Sequence, residues 1–168
     1  MRPELQCIHF ENGYAYATDG HMLIRAKLED VTNFEPEELA ILEGKCISAD
    51  SLKRIYSHQE VEVTNDGFVA KDSTTGCKVT YTFADPNVIE KFPDCEKVLH
   101  DAMKSPLHPK DVIGISYSML DTLTNAIGCK GNAKIEFRGY KGYQAIVTIL
   151  DLFNSITGLL MLKQVEES

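Results

Sequence analysis

No stretch of this 168-residue sequence approaches the roughly 18 consecutive apolar residues that a membrane-spanning helix needs, so no membrane partner is expected. The opening residues Met1-Arg2-Pro3-Glu4 lack the apolar region of a secretory signal, which makes the cytoplasm the expected compartment. Basic residues are in short supply: 17 Lys and Arg stand against 25 Asp and Glu, a net charge of −8. Attraction to nucleic acid comes from cations displacing counterions from phosphates, so any DNA contact must use a local basic patch. There is no Cys-x-x-Cys pair. Cys7, Cys46, Cys77, Cys95 and Cys129 are odd in number and widely spaced, which reads as reduced, mostly buried thiols and suggests neither a disulfide framework nor a zinc site. His9, His58, His100 and His108 are scattered without metal-ligand spacing, and no Gly-x-x-x-x-Gly-Lys loop is present to cradle phosphate. No metal and no cofactor are expected.

What is present begins with a hairpin. Asn12-Gly13 is a strong two-residue turn signal, because a type I′ turn needs positive φ at both positions; Phe10 and Tyr14 should therefore start paired strands. Asp19-Gly20 is a second turn pair, after which His21-Met22-Leu23-Ile24 resumes the strand. Residues 29–44 read as a connector with one helical turn at Pro36-Glu37-Glu38-Leu39, Pro being suited to a first helical position. Lys45-Cys46-Ile47 predicts a short strand, and Ser48 or Asp50 can cap a helix running through about His58, with Leu52, Ile55 and Tyr56 on its inner face. Residues 60–64 alternate strictly, 65–67 turn into 68–70, and 78–83 alternate again.

Asp85-Pro86-Asn87 breaks the pattern, and residues 88–110, with Pro93, Pro106 and Pro109, read as a long connector. The arrangement then recurs: a strand at 112–115, a helix capped by Ser116 and stopped by Gly128, and strands at 134–138, 143–150 and 157–163, with turns at 139–142 and 151–155. Met119, Leu120, Leu123 and Ile127 define the buried face of that helix. A chain of this length can bury a real core, so one compact α+β domain is expected. It divides into a meander and connector at 1–44, a first β-α-β-β-β half at 45–99, a linker at 100–111 and a second such half at 112–168.

Three ordered segments carry a resemblance to a known family. Ala17-Thr18-Asp19-Gly20-His21-Met22-Leu23 closely resembles the Ala-Thr-Asp-Gly-His-Arg-Leu hallmark of bacterial DNA sliding clamps, the β subunit of DNA polymerase III. Phe92-Pro93-Asp94-Cys95-Glu96-Lys97-Val98-Leu99 is similar to that family's Phe-Pro-Asp-Tyr-x-x-Val-Leu segment. Gly158-Leu159-Leu160-Met161-Leu162 looks like its C-terminal Val-Val-Met-Pro-Met strand. The resemblance implies a clamp-like processivity fold, with antiparallel sheets and two helices on one side. It covers residues 6–99 and 112–165, corresponding to the later part of the clamp's middle domain and the second half of its last domain; the chain is thus similar to a shortened, roughly one-domain clamp.

In sliding clamps the three segments converge on a cleft that holds short linear peptides of DNA polymerases and other DNA-processing proteins. Transferred by motif position, the cleft comprises Thr18, Gly20, His21, Met22, Leu23, Pro93, Val98, Leu159, Met161 and Leu162. Leu, Met and Val walls desolvate apolar peptide anchors, and Met adapts to varied partners. Met22 stands where the family has Arg, and Leu162-Lys163 where it has Pro-Met, which implies an altered peptide preference. The resemblance also implies contact with double-stranded DNA, for which Lys53, Arg54 and His58 on the first helix are the candidates; the second offers only Ser118, Asp121, Thr122 and Asn125. Encircling DNA would need a homo-oligomer of about six copies. No catalytic residue is expected: Asp19 and His21 could in principle do acid–base work, but no nucleophile or second carboxylate joins them, and a turn explains Asp19-Gly20. The expected function is a non-enzymatic, clamp-like replication accessory factor, with a free-standing peptide-binding module as the alternative and a small Asp19–His21 enzyme as the third reading.

Overall fold

A computed structural model describes residues 2–72, 74–107, 115–128, 133–138, 144–149 and 156–161 of the chain. In chain order these contain β1 (Cys7–Glu11), β2 (Tyr14–Thr18), β3 (Met22–Lys27), α1 (Leu28–Val31), α2 (Pro36–Leu42), β4 (Cys46–Ser48), α3 (Ala49–Ile55), β5 (Glu60–Thr64), β6 (Gly67–Lys71) and β7 (Lys78–Thr82). There follow α4 (Pro86–Ile89), α5 (Cys95–Lys104), α6 (Tyr117–Ala126), β8 (Ala133–Arg138), β9 (Gln144–Ile149) and β10 (Ile156–Met161). The class is α+β: among the described residues there are two antiparallel sheets, neither closed into a barrel, and six α-helices. None of these helices is long and apolar enough to cross a membrane. The chain groups into two compact units, residues 1–17 with 27–93 and residues 18–26 with 94–168.

In the first unit the Asn12-Gly13 hairpin forms as its sequence dictates, with φ of 51° and 75° at the two turn residues and Glu11 opposite Tyr14. Strand β4 pairs on the other side of β1, and β5-β6-β7 form a separate antiparallel meander. The helical turn expected at Pro36 extends to Leu42 because Glu35 and Glu38 form a reciprocal capping box. Ser48 caps α3 by accepting from the Ser51 N–H at 3.0 Å. Helix α3 ends at Ile55, short of His58; Ile55 is buried and Leu52 packs against the core, but Tyr56, expected on the same face, is 77% exposed. Its residue is the C-cap, where the chain leaves the helix, so helical periodicity no longer fixes its direction.

In the second unit the sheet order is β3-β10-β9-β8, antiparallel throughout. Helix α6 follows the expected stripe: Leu123 and Ile127 are buried, Met119 and Leu120 pack beside them, and Gly128 leaves the helix at φ 71°. Residues 88–110, expected as a connector, instead hold the end of α4 and all of α5. The prolines bracket α5 rather than break it. Pro93 precedes the N-cap Asp94, whose Oδ1 accepts from the Lys97 N–H at 2.9 Å, and Pro106 follows the C-cap Ser105. Cys95, Leu99 and Ala102, spaced at i, i+4 and i+7, are its buried stripe. The strand expected at 112–115 lies largely, and the turns expected at 139–142 and 151–155 wholly, outside the described residues, as do Leu162 and Cys129.

Candidate functional site

The turn from Thr18 to Met22 is closed by its own side chains. Asp19 Oδ1 accepts from the His21 and Met22 N–H groups at 2.8 and 2.7 Å, while Thr18 Oγ1 donates to the Met22 carbonyl at 2.6 Å and accepts from the Gly20 N–H at 3.1 Å. These bonds fix the point at which β3 begins. They also give the Asp19 carboxylate a structural task, holding backbone amides, while His21 projects into solvent. The carboxylate is directed at the turn's own amides.

Two of the sequence-matched segments then pair directly. The Met161 N–H donates to the His21 carbonyl at 3.0 Å, Leu160 lies opposite Met22 and Leu159 opposite Leu23. Alternation along a strand sends successive side chains to opposite faces. Met22 and Ile24, with Ile156 and Leu160, pack on the core beneath α6. Gly158 belongs to that face, where an added Cβ would lie 2.9 Å from Leu123 Cδ1. Leu23, Arg25, Thr157, Leu159 and Met161 therefore belong to the other face, as do Lys134, Glu136 and Arg138 through the β10-β9-β8 register.

Helix α5 is tied to this second face at both ends. Near its start, Arg25 Nη1 and Glu96 Oε2 are 3.6 Å apart; past its end, Arg138 Nη1 donates to the Met103 and Ser105 carbonyls at 2.9 and 3.0 Å. The guanidinium thus satisfies carbonyls that a helix end leaves without intrahelical donors. Arg138 is itself braced by Glu136, which also pairs with Lys134, and these two cations hold the Glu136 carboxyl below its ordinary range, the Lys134 bond being the larger cause.

The ten residues expected to line one cleft consequently divide. Leu23 and Leu159 are only 3% and 2% exposed, covered rather than open, and Met22 faces the opposite side of the sheet. Val98 on α5 and Met161 at the end of β10 are 43% and 46% exposed. Gly20 and His21 are exposed, and Thr18 is half-buried. Pro93, half-buried, is the last residue of the first unit, and Leu162 lies outside the described residues.

The candidate DNA contacts also divide. Lys53 and Arg54 are exposed in the last turn of α3, whereas His58 is half-buried, with Nε2 3.1 Å from the Tyr81 hydroxyl. That bond engages its imidazole within the first unit. Helix α6 carries no Lys or Arg at all.

One cluster escapes sequence reasoning altogether. His9 Nδ1 lies 3.1 Å from Cys46 Sγ, and its Nε2 lies 3.7 Å from Glu11 Oε2. Thiol, imidazole and carboxylate in a row suggest an activated nucleophile. The chemistry runs the other way: Cys46 is fully buried, and desolvation, helped by Cys7, pushes its thiol up to about 12. A nucleophile requires a depressed value and access. Alternation in β1 places His9 and Glu11 on one face, but the pairing with Cys46 is set by β1–β4 register and has no local signal. In comparisons with protein-family models, curated proteins and solved structures, no significant match to this chain was found.

Proposed function

We propose that the protein is a non-enzymatic, DNA-clamp-like accessory factor of replication that takes a short linear peptide of a DNA polymerase or related DNA-processing protein in its second unit. What supports the reading is the meeting of three segments far apart in sequence, each similar to a peptide-site segment of sliding clamps: the turn at His21, the end of β10 at Met161, and α5 bound to β3 through Arg25 and Glu96. Val98 on α5 and Met161 on β10 are exposed apolar side chains, the chemistry that desolvates a peptide anchor. Fluorescence anisotropy with labelled polymerase-tail peptides tests it. Saturable binding that Met161→Asp weakens about tenfold or more, with the fold intact, is the expected result; absence of saturable binding across the panel overturns the reading.

Of the two modes of action, a free-standing peptide-binding module has a specific observation in its favour. Helix α6 offers Ser118, Asp121, Thr122 and Asn125 and no cation, and the whole chain carries −8. Encircling DNA as a homo-oligomer would rest on Lys53 and Arg54 repeated around a ring of about six copies. Solution mass by light scattering across concentration separates the two: an assembly near six copies supports the ring, and a monomer or dimer leaves the free-standing module.

A further inference from the structure

The face of the second unit's sheet that carries Leu23 and Leu159 already has an occupant. Arg25, which meets the start of α5, is on β3 in the row of Thr157; Arg138, which meets its end, is on β8 in the row of Gln144 and Met161. Between those rows lies that of Leu23 and Leu159. Three strand spacings across, about 14 Å, and four residues along the strands, about 13 Å, make a diagonal of about 19 Å, which a ten-residue helix of about 15 Å spans together with the reach of the two arginine side chains. Leu23 and Leu159, in the row between the anchors, are 3% and 2% exposed. The stripe α5 turns inward is modest, Cys95, Leu99 and Ala102, while Val98 and Met103 flank it in solvent.

We infer that α5 is an autoinhibitory strap: held by the Arg25–Glu96 pair and the Arg138–carbonyl bonds, it covers Leu23 and Leu159, so that a peptide meets only Val98 and Met161 while it is closed and gains the two leucines when it lifts. The inference rests on the peptide-binding reading and adds its regulation. Both tethers are polar and partly exposed, so they hold without fixing; the Arg25 and Glu96 side chains are 19% and 41% accessible. A charged partner segment or raised salt weakens the first tether.

Cys95 reports the motion, because it is buried on the strap's inner face while Cys77 is exposed and Cys46 is buried in the first unit. The full chain is labelled with N-ethylmaleimide under native conditions and each cysteine is followed by peptide mass mapping, in wild type and in the double variant E96Q/R138Q. The expected result is an increase of about tenfold in Cys95 labelling with Cys46 unchanged, and a polymerase-tail peptide that binds the variant correspondingly more tightly. Unchanged Cys95 labelling overturns the strap. So does Cys95 labelling that rises together with Cys46, since α5 then opens only with the whole protein. Cys95 exposed with peptide affinity unchanged or lowered makes α5 a wall of the site and overturns the autoinhibition. Cys95 exposed with no peptide binding to either protein overturns the peptide-binding reading instead, a separable outcome.

Discussion

Around Phe68 the first unit gathers rings from three distant segments, with Phe10, Phe34 and Phe83 centroids 6.2, 6.0 and 5.6 Å away. Around Leu160 the second unit gathers aliphatic side chains, Leu123 and Ile127 from α6 with Met22, Ile24 and Ile156 from the sheet. The first arrangement locks strands and loops to one large buried residue. The second makes a layered body, in which one sheet face packs on α6 and the other lies beneath α5. The comparison teaches where each unit can yield: a ring cluster fails as a whole, whereas a layer held by polar tethers can detach alone.

The largest effect expected from this contrast is at Phe68. Phe68→Ala should cost about 3–5 kcal/mol in urea unfolding, because it removes the ring common to three aromatic contacts. A loss below about 1 kcal/mol would mean that the rings do not share one core. A smaller effect is expected at Gly158, where a Cβ would crowd the fully buried Leu123 at 2.9 Å. Gly158→Ala should cost about 1–3 kcal/mol, and the cost should shrink in a Leu123→Ala background; equal costs in both would disconnect the two residues.

The smallest expected effect is electrostatic. Glu136 is held below its ordinary value near 4.5, first by Lys134 and then by Arg138. A depressed folded-state value contributes stability that is present above the unfolded value and lost as pH falls through the folded one. In urea unfolding at a series of pH values, the stability that depends on Lys134 should therefore be constant above about 4.5 and fall below it. Lys134→Met should reduce that slope; an unchanged acid limb would remove Glu136 from the account.

Local chemistry made much of the secondary structure legible in the sequence. Asn12-Gly13, the cap at Ser48, the acidic turn after Pro36 and the stripe of α6 each state their structure within a few residues. Helix α5 was obscured because its flanking Pro93 and Pro106 read as breakers, though a proline outside either cap is compatible with the helix between. The candidate site was legible as a set of segments but not as a surface. In Met22-Leu23-Ile24 every residue is apolar, so alternation cannot say which face lies under which helix. That assignment comes from Leu123 against Gly158 and from Glu96 against Arg25, both distant in sequence. His58, in sequence a candidate DNA contact on its helix, is likewise in the fold a partner of Tyr81.

Strand β3 has a consequence for the making of the protein. Residues 18–26 belong with the second unit although the chain on both sides of them belongs to the first. Met22 pairs with Leu160, a separation of 138 residues (160 − 22). On a ribosome adding about 5–20 residues per second, β3 therefore waits on the order of ten seconds for its neighbour. During that interval it is a Met-Leu-Ile edge available to whatever chaperone or nascent chain is near. The same threading means that a cut after Pro93 does not separate the units: the downstream piece would lack its β3, and the upstream piece would carry it without β10.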